Sequence, residues 1–522
     1  MYQSIWYVYV PRGRAVFLET QPVQKIEKTH FTVAIAGSGF SGLGAAIRLK
    51  EAGFHDLVLF ERADEVGGVW RDNAYPGAAC DVESHLYSFS FAPNPKWSYA
   101  FSRQPEIFGY LRSCAQRFEI TPHIRFRHAV REARWDEARQ RWVIETEQGT
   151  FTADFFLPAV GALSDPMIPE IPGLKKFKGK MFHSAQWDHS YDLNGKKLAV
   201  IGTGASAVQF IPEIQPKLAK LTLFQRTPAW VLPRWDSRFS DRQKSLYGKL
   251  PFLQKLARNS IYLRRELFVL GFRNPNWMKL IERFAYRYLK SVVKDPALRR
   301  KLTPDFRIGC KRILITADYL PALTKPNVEV VTEGIREMRE NSIVTKDGME
   351  HEVDAIIFGT GFHVLDLPFA NHVRGKGGVT LNEAWNGSPS AYLGTTVNGF
   401  PNLFFLMGPG TGLGHTSVIV MLEAQLQILI GALQHMRDKK LDVIEPRQDV
   451  QQGYFDWLQT EAQGTVWTAG GCSSWYLDPN GKLTSLWPHS TIAFRNKAQF
   501  RAAEYTLSKR VPQPNVAPLA AE

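Results

Sequence analysis

The stretch at residues 32–61, TVAIAGSGFSGLGAAIRLKEAGFHDLVLFE, decides the fold of the chain. An apolar run at residues 32–36 leads through closely spaced glycines into a helical pattern at residues 42–52, and a second apolar run follows at residues 57–60. A strand, a glycine turn, a helix and a second strand form a βαβ unit with parallel strands. The stretch therefore predicts an α/β domain of the dinucleotide-binding type.

The turn Gly37-Ser38-Gly39-Phe40-Ser41-Gly42 carries the chemistry of this unit. Its first glycine permits a tight turn, its second lets the backbone approach a pyrophosphate, and its third packs helix on strand. Glu61 ends the next strand, where a carboxylate accepts hydrogen bonds from ribose hydroxyls. Glycine turns also follow strands for purely steric reasons, which is the alternative interpretation. We expect a dinucleotide to contact Gly37, Gly39, Ser41, Gly42 and Glu61.

A second βαβ pattern occurs at residues 197–227, KLAVIGTGASAVQFIPEIQPKLAKLTLFQRT. Alanine takes the third glycine position of its turn, which the fold tolerates. Its second strand ends in Gln225-Arg226-Thr227 without a carboxylate, and an arginine there pairs with a 2′-phosphate that an acid would repel. An ordinary surface arginine is the alternative. We expect NADPH to contact Gly202, Thr203, Gly204, Ala205, Ser206, Ala207, Arg226 and Thr227.

Two dinucleotide sites with opposite chemistry predict FAD at the first site and NADPH at the second, with hydride passing between them. The predicted fold class is α/β, with two Rossmann-like domains and a helical insertion in the second. The Pro-rich residues 164–173 are expected to link them. The predicted divisions are an N-terminal extension at 1–30, an FAD domain at 31–165 and 355–508, an NADPH domain at 166–354 with an insertion at about 236–306, and a disordered tail at 509–522.

The net charge of +14 is concentrated in one part of the chain. Residues 241–312 contain 19 Lys and Arg but 5 Asp and Glu, at helical spacing between apolar residues. We interpret this segment as amphipathic helices with a solvated basic face. Weak docking on a membrane surface and attraction of anionic phosphates are the alternatives. No nucleic-acid motif accompanies the charge, so we expect no nucleic-acid partner.

The four cysteines, Cys80, Cys114, Cys310 and Cys472, include no C-x-x-C pair. This argues against a disulfide framework, a zinc site or other metal centre, and a dithiol redox site. Apolar runs fall short of the ~20 residues that cross a bilayer. The first thirty residues also lack the features of a secretory signal. A reduced cytoplasmic setting without a transmembrane segment is therefore expected.

Two longer motifs lie between the βαβ units, one shortly after the first unit and one shortly before the second. Residues 67–81 read GGVWRDNAYPGAACD, and residues 177–188 read FKGKMFHSAQWD. They resemble the two fingerprints of the Baeyer–Villiger monooxygenases, and the final Trp187-Asp188 favours this branch over N-hydroxylating relatives. Further matches lie at residues 309–312, 358–362, 400–403, 408–412 and 474–476.

The resemblance implies that Arg312 and Asp81 are catalytic. In the family an arginine beside the flavin holds an anionic C4a-peroxyflavin, which attacks a ketone carbonyl. A guanidinium suits this because it stays charged at any working pH. A carboxylate at Asp81 would orient it through hydrogen bonds. The alternatives are that Arg312 is one more charge of the basic segment and that Asp81 caps a turn.

Further contacts are implied by the resemblance alone. His183 and Trp187 are expected to hold the hinge between the domains. The turn Ala159-Val160-Gly161 departs from the family, which commonly has threonine at its centre. The implied FAD contacts are Val69, Trp70, Asp72, Asp81, Tyr87 and Val130; the implied NADPH contacts are Ala79, Cys80, Lys311, Arg312 and Trp475.

The function expected from all this is conversion of a ketone, NADPH and O2 into an ester or lactone, NADP and water. A flavin monooxygenase that oxidises nitrogen or sulfur is the first alternative. An NADPH oxidase or flavin reductase is the second, and the missing C-x-x-C pair counts against a disulfide reductase. A non-enzymatic flavoprotein is the last. The sequence names neither the ketone nor the oligomeric state.

Overall fold

The computed structural model describes residues 28–511. Predictions for residues 1–27 and 512–522 lie outside this range. The strands are β1 (His30–Ala36), β2 (Leu57–Glu61), β3 (Ile124–Phe126), β4 (Val130–Asp136), β5 (Arg141–Thr146), β6 (Gly149–Pro158), β7 (Lys180–His183), β8 (Lys197–Ile201), β9 (Lys220–Phe224), β10 (Val231–Leu232), β11 (Leu314–Ile315), β12 (Val328–Val331), β13 (Ile335–Met338), β14 (Ser342–Thr345), β15 (Glu350–Glu352), β16 (Ala355–Phe358), β17 (Val373–Arg374), β18 (Val443–Pro446) and β19 (Tyr505–Ser508).

Helices connect these strands and cover their faces. They are α1 (Phe40–Glu51), α2 (Val69–Asp72), α3 (Gln104–Arg117), α4 (Ala205–Ile214), α5 (Asp241–Lys249), α6 (Pro251–Glu266), α7 (Phe268–Arg273), α8 (Pro275–Val292), α9 (Pro296–Lys301), α10 (Tyr319–Leu323), α11 (Leu381–Trp385), α12 (Val418–Lys439), α13 (Gln448–Ala462), α14 (Val466–Ala469) and α15 (Thr491–Lys497).

The first βαβ unit lies within a seven-stranded sheet of order β17-β4-β5-β6-β1-β2-β3. Strand β1 runs parallel to β2, with Val33 opposite Leu57. Alternate residues of β1 enter two different cores: Val33 packs with α1 and α12, whereas Ala34 packs with aromatic residues of β5 and β6. Burial on both faces explains why the strand is a continuous apolar run.

The second βαβ unit lies within a five-stranded sheet of order β12-β9-β8-β16-β7. Strand β16 pairs in parallel with β8, with Ala355 opposite Leu198. The predicted boundary, which places residues 355–358 in the returning part of the FAD domain, is wrong. All four residues of β16 are buried inside the second sheet, so that domain ends only after them.

Helices α5 to α9 lie in sequence between strands β10 and β11, which pair in parallel. Proline begins α6, α8 and α9, where its missing N–H costs no helical hydrogen bond. Helix α8 buries Met278, Ala285 and Leu289 on one side. These helices occupy the position of the predicted helical insertion.

Helix α12 is long and apolar enough by length and composition to cross a membrane, the one such helix within residues 28–511. Its most apolar stretch is 61% buried inside the protein. Met421 and Leu429 of α12 pack in the same core as α1. The helix is not evident from the sequence because Glu423 and several glutamines interrupt its apolar runs.

Both predicted ends of the folded region need correction. His30, assigned to the extension, begins β1 and pairs with Thr152. Arg510, assigned to the disordered tail, donates from Nη2 to Asp154 at 2.7 Å and from its backbone N–H to Asp442 at 2.8 Å. Charged hydrogen bonds therefore hold residues that composition alone suggested were free.

Candidate active site and cofactor clefts

The first glycine turn is closed so tightly that it excludes side chains. Gly37 has a φ of +106°, and a Cβ there would lie 2.6 Å from the carbonyl oxygen of Ala159. A Cβ on Gly42 would lie 1.9 Å from the carbonyl oxygen of Gly37. Only glycine fits both positions. Gly39 is the N-cap of helix α1 and offers no side-chain cap, which leaves the first N–H groups of the helix for a phosphate.

The Gly67-Gly68 pair of the first fingerprint lies against this turn. A Cβ on Gly39 would lie 3.7 Å from the Cα of Gly68. The backbone N–H of Gly67 donates to the carbonyl of Ser38 at 3.1 Å. Two stretches of bare backbone therefore form one cradle, which fits the pyrophosphate of FAD. Val69 begins helix α2 at its edge.

Glu61 lies beside the cradle and is almost fully buried. It accepts hydrogen bonds from the Ser38 backbone at 3.0 Å and hydroxyl at 2.6 Å, from the Ala63 backbone at 3.0 Å, and from Arg71 at 3.0 Å. Burial alone would raise the pKa of Glu61, but these bonds and the charge of Arg71 lower it. The carboxylate thus stays ionised and fixes the turn, and its contact with the ribose of FAD stays a prediction.

The other predicted FAD contacts divide into two groups. Trp70 donates from Nε1 to the Tyr87 hydroxyl at 3.0 Å, and their rings meet edge to face at 5.6 Å. Asp72 accepts from Nε of Arg71 at 2.7 Å. Val130 lies apart from these residues, at the start of β4 against the second core of the sheet.

The second glycine turn repeats the first in its backbone. Gly202 has a φ of +105°, and a Cβ there would lie 2.3 Å from the carbonyl oxygen of Gly359. Ala207 fits at the third position because Gly359, which faces its Cβ, has no side chain. Helix α4 begins with Gly204 as an uncapped N-cap. Thr203 donates from its hydroxyl to the Thr227 carbonyl at 3.1 Å.

Arg226 and Lys311 bring two positive charges together beside this turn. Burial lowers the pKa of Lys311, and the charge of Arg226 lowers it further. Arg226 is exposed, and no ion pair of its side chain occurs within residues 28–511. Asp305 acts on Lys311 in the opposite direction and raises its pKa. Arg226 keeps its charge unpaired within that range, so the two cations form a site for an anion, and the 2′-phosphate of NADPH fits it.

Asp81 and Arg312 form a bidentate ion pair across 231 positions of sequence. Nε of Arg312 donates to Oδ2 at 2.9 Å, and Nη2 donates to Oδ1 at 2.7 Å. Burial would raise the pKa of Asp81, but the charge and hydrogen bonds of Arg312 lower it, and Asp81 in turn raises the pKa of Arg312. The hydrogen-bonded pair expected from the motifs is therefore present and fully charged.

Three neighbours of this pair were not predicted. Arg265 donates to the Asp81 carbonyl at 3.2 Å and is itself held by Glu83 at 2.8 Å. Tyr476 lies against Arg312, whose charge lowers a tyrosine pKa that burial raises. Arg265 is hidden in the sequence among the other cations of the basic segment, so only tertiary packing distinguishes it.

Gln209 of helix α4 joins the two halves of the molecule. Its side chain accepts from the Ala79 N–H at 3.2 Å and donates to the Ala79 carbonyl at 2.9 Å. It also accepts from the Tyr75 hydroxyl at 3.0 Å. Gln209 is not among the predicted site residues, since a glutamine inside a helix carries no local signal. Cys80 beside Ala79 is buried, and burial raises the pKa of its thiol, so it is no nucleophile.

His183 and Trp187 are expected to hold the hinge between the domains, and this role stays a prediction. His183 ends strand β7 at the edge of the second sheet and is buried. Its ring meets Phe362 at 5.4 Å, and burial lowers its pKa to about 4. Trp187 packs between Phe182 and Phe210. Both residues are therefore part of the packing of the second domain.

A disulfide joins Cys310 to Cys472, with Cα atoms 6.1 Å apart. The expectation that the scattered cysteines would form no disulfide is thus wrong for this pair. The two residues are 162 positions apart, and sequence spacing carries no signal over that distance. The bond attaches the segment before Arg312 to the loop of Trp475, which is 44% exposed and packs on Tyr476. Cys80 and Cys114 remain free and buried.

Two glycine cradles, an anion site beside the second and a charged pair between them define a flavoprotein that uses both FAD and a nicotinamide cofactor. The family model described as flavin-binding monooxygenase-like matches residues 30–376. A Baeyer–Villiger monooxygenase of Streptomyces coelicolor is 51% identical over 92% of this chain and 94% of its own length. Another, of Pseudomonas aeruginosa, is 47% identical over 96% of each.

Solved structures agree with these relatives. A cyclohexanone monooxygenase from a Rhodococcus species, bound to NADP+, matches with a TM-score of 0.82 and 28% identity, over 92% of this chain and 100% of its own. The complex of OTEMO with FAD and NADP matches with a TM-score of 0.83 and 27% identity, over 92% of this chain and 99% of that one.

The chain belongs to the flavin-binding monooxygenase-like family, and within it to the Baeyer–Villiger monooxygenases. It is an NADPH-dependent flavoprotein monooxygenase with FAD and NADPH as cofactors. The predicted fold class, two dinucleotide-binding domains of α/β type, is confirmed. The roles of individual site residues and the domain boundaries not corrected above stay predictions.

Proposed function

We propose that this chain converts a ketone to an ester or lactone at the Asp81–Arg312 pair. The observation that carries the proposal is the bidentate geometry of that pair, with Arg312 39% exposed and Asp81 23% exposed. The pair is thus fixed in direction but still partly exposed. Bound FAD and NADPH supply the redox chemistry, namely hydride transfer and activation of dioxygen.

Arg312 provides a permanent positive charge at the reacting oxygens. Asp81 engages Nε and Nη2 of the guanidinium, which leaves Nη1 for other acceptors. A guanidinium stabilises negative oxygen at any working pH, and it also stabilises the oxyanion that develops on an attacked carbonyl. This favours chemistry on ketones over chemistry on amines and sulfides, which need a protonated oxidant.

Asp81 acts as a positioning residue rather than as an acid. Its lowered pKa keeps the carboxylate ionised, so it has no proton to give near neutral pH. Arg265 and Glu83 extend the network and hold the loop that carries Asp81. Together these charges fix the orientation of Arg312, which a flexible surface arginine would lack.

The nicotinamide cofactor is held by the second turn and its cations. Gly202, Gly204 and the start of α4 present backbone N–H groups to its pyrophosphate. Arg226 and Lys311 bind its 2′-phosphate, and Gln209 keeps the Ala79–Cys80 backbone in register with α4. Trp475 lies on the loop that the disulfide attaches, three residues after Cys472, and is available to cover this cofactor.

The test is turnover by the FAD-loaded enzyme with NADPH and a panel of linear, cyclic, aromatic and steroid ketones, with amines and sulfides in parallel. Ester or lactone formation coupled to NADPH consumption is expected. Oxidised amines or sulfides without any ester would overturn the proposal in favour of an N- or S-oxygenating enzyme. NADPH consumption that yields only hydrogen peroxide would overturn it in favour of an oxidase.

A further inference from the structure

The inserted helices expose an unusual amount of apolar surface. Within residues 28–511, thirteen of the twenty-one exposed large hydrophobic side chains fall in residues 235–286. Scattered exposed hydrophobics are ordinary, but a contiguous cluster marks a surface that contacts something apolar. The exposed side chains in this segment are Trp235, Leu246, Leu250, Phe252, Leu256, Leu263, Leu267, Phe268, Leu270, Trp277, Leu280, Phe284 and Tyr286.

Helical spacing places these side chains on continuous faces. On α6, Phe252, Leu256 and Leu263 recur at intervals of four and seven residues, and Leu267 follows four residues later. This is the period of one helix face. Leu256, Leu263 and Leu267 are 58%, 57% and 66% exposed, so most of this face is left open to solvent.

Helix α8 is apolar on two sides. Met278, Ala285 and Leu289 face the protein interior. Trp277, Leu280 and Phe284 face outward with exposures of 60%, 72% and 45%. The exposed Trp235 extends this outer face, because its ring lies 6.3 Å from that of Phe284. The fold needs only the inner side, so the outer side calls for another explanation.

Positive charge borders the outer apolar face. Exposed basic side chains on or beside α8 are Lys279, Arg283, Arg287, Lys290 and Lys294. The carboxylates nearby are already engaged, since Glu282 binds Arg307 and Glu266 is buried against Thr491. Three lysines, Lys96, Lys244 and Lys249, line a depression of about 470 Å³ next to Leu246 and Leu250.

We propose that helices α6, α7 and α8 form a docking surface for a bilayer that contains anionic phospholipid. Leucine and aromatic side chains with flanking Lys and Arg are the composition of helices that lie in the plane of a membrane interface. Cations attract the negative leaflet, and the apolar face enters the acyl boundary. A protein partner or a second copy would not need the row of exposed cations that borders this face on α8.

Vesicle co-sedimentation of the FAD-loaded enzyme tests the docking surface, with phosphatidylglycerol vesicles against phosphatidylcholine vesicles. The wild type is expected to bind the phosphatidylglycerol vesicles at least tenfold more strongly. Two double variants, Leu256→Ser with Leu263→Ser and Lys279→Glu with Arg283→Glu, are each expected to lose at least tenfold of that binding. Matched controls outside the segment, Met349→Ser and Lys175→Glu with Lys176→Glu, are expected to stay within twofold of the wild type.

The flavin absorbance and melting temperature of each variant show that it folds. Equal binding to both lipids, or undiminished binding by the patch variants, overturns the proposal. Self-association in light scattering that the same variants abolish, without vesicle binding, would assign the face to a second copy and also overturn it. Vesicle binding needs no turnover, so the result is independent of the proposed activity.

Discussion

At the scale of single residues, charge decides the assignments. Arg312 forms a bidentate ion pair with Asp81, and this pair fixes the direction of the guanidinium. Arg226 has no carboxylate partner among the described residues, and its charge bears on Lys311 instead. The first arrangement suits a positioned catalytic cation, and the second suits a binding site for a mobile anion.

Replacing Arg226 by alanine should weaken NADPH far more than NADH. The lost charged hydrogen bond is worth about 1.5–3 kcal/mol, which raises the KM for NADPH about tenfold to a hundredfold. Steady-state kinetics with both cofactors measures this, and Lys217→Ala, an exposed cation of the same domain, serves as the control. An equal loss for both cofactors would count against the 2′-phosphate assignment.

At the scale of elements, the helices and strands that could be predicted are those whose signals are adjacent in the sequence. The first βαβ unit is legible because strand, glycine turn and helix are adjacent, and Gly37 and Gly42 have no sterically acceptable replacement. The position of β16 between β8 and β7 could not be predicted, since these parallel neighbours come from distant parts of the chain. Gln209 could not be predicted for the same reason, because its side chain binds the backbone of Ala79, which is 130 positions away.

The Cys310–Cys472 bond predicts a specific thiol count. Titration of the unfolded, unreduced protein should find the two thiols of Cys80 and Cys114, and after reduction it should find all four cysteines. The double variant Cys80→Ser with Cys114→Ser should show none before reduction. Four reactive thiols in protein protected from reductant would show that the pair does not form.

At the scale of the whole molecule, burial of two histidines makes stability depend on pH. Burial lowers the pKa of both His85 and His183 from 6.5 to about 4. Between these pH values the two histidines are protonated in the unfolded chain but not in the folded one. The free energy of unfolding is therefore highest above about pH 6.5 and decreases as the pH falls toward 4. Each histidine should contribute a loss of about 2 kcal/mol at pH 5.

Melting temperatures at pH 7 and pH 5 measure this effect. The variant His183→Gln should lose less on going from pH 7 to pH 5 than the parent protein does. His372→Gln, which changes a histidine at the exposed end of a short helical turn, should behave like the parent. Identical shifts for His183→Gln and the parent would contradict the buried, neutral state of His183.

The central claim is that a fixed positive charge at Arg312 is required for oxygen transfer, and single-site replacement tests it directly. Arg312→Ala, with Arg300→Ala as a control for an ordinary cation of the same segment, is assayed for bound FAD, for flavin reduction by NADPH, and for ester formed. The account predicts that Arg312→Ala binds FAD and is reduced but forms ester at least about a hundredfold more slowly, while Arg300→Ala matches the wild type. Ester formation by Arg312→Ala at the wild-type rate would contradict the account.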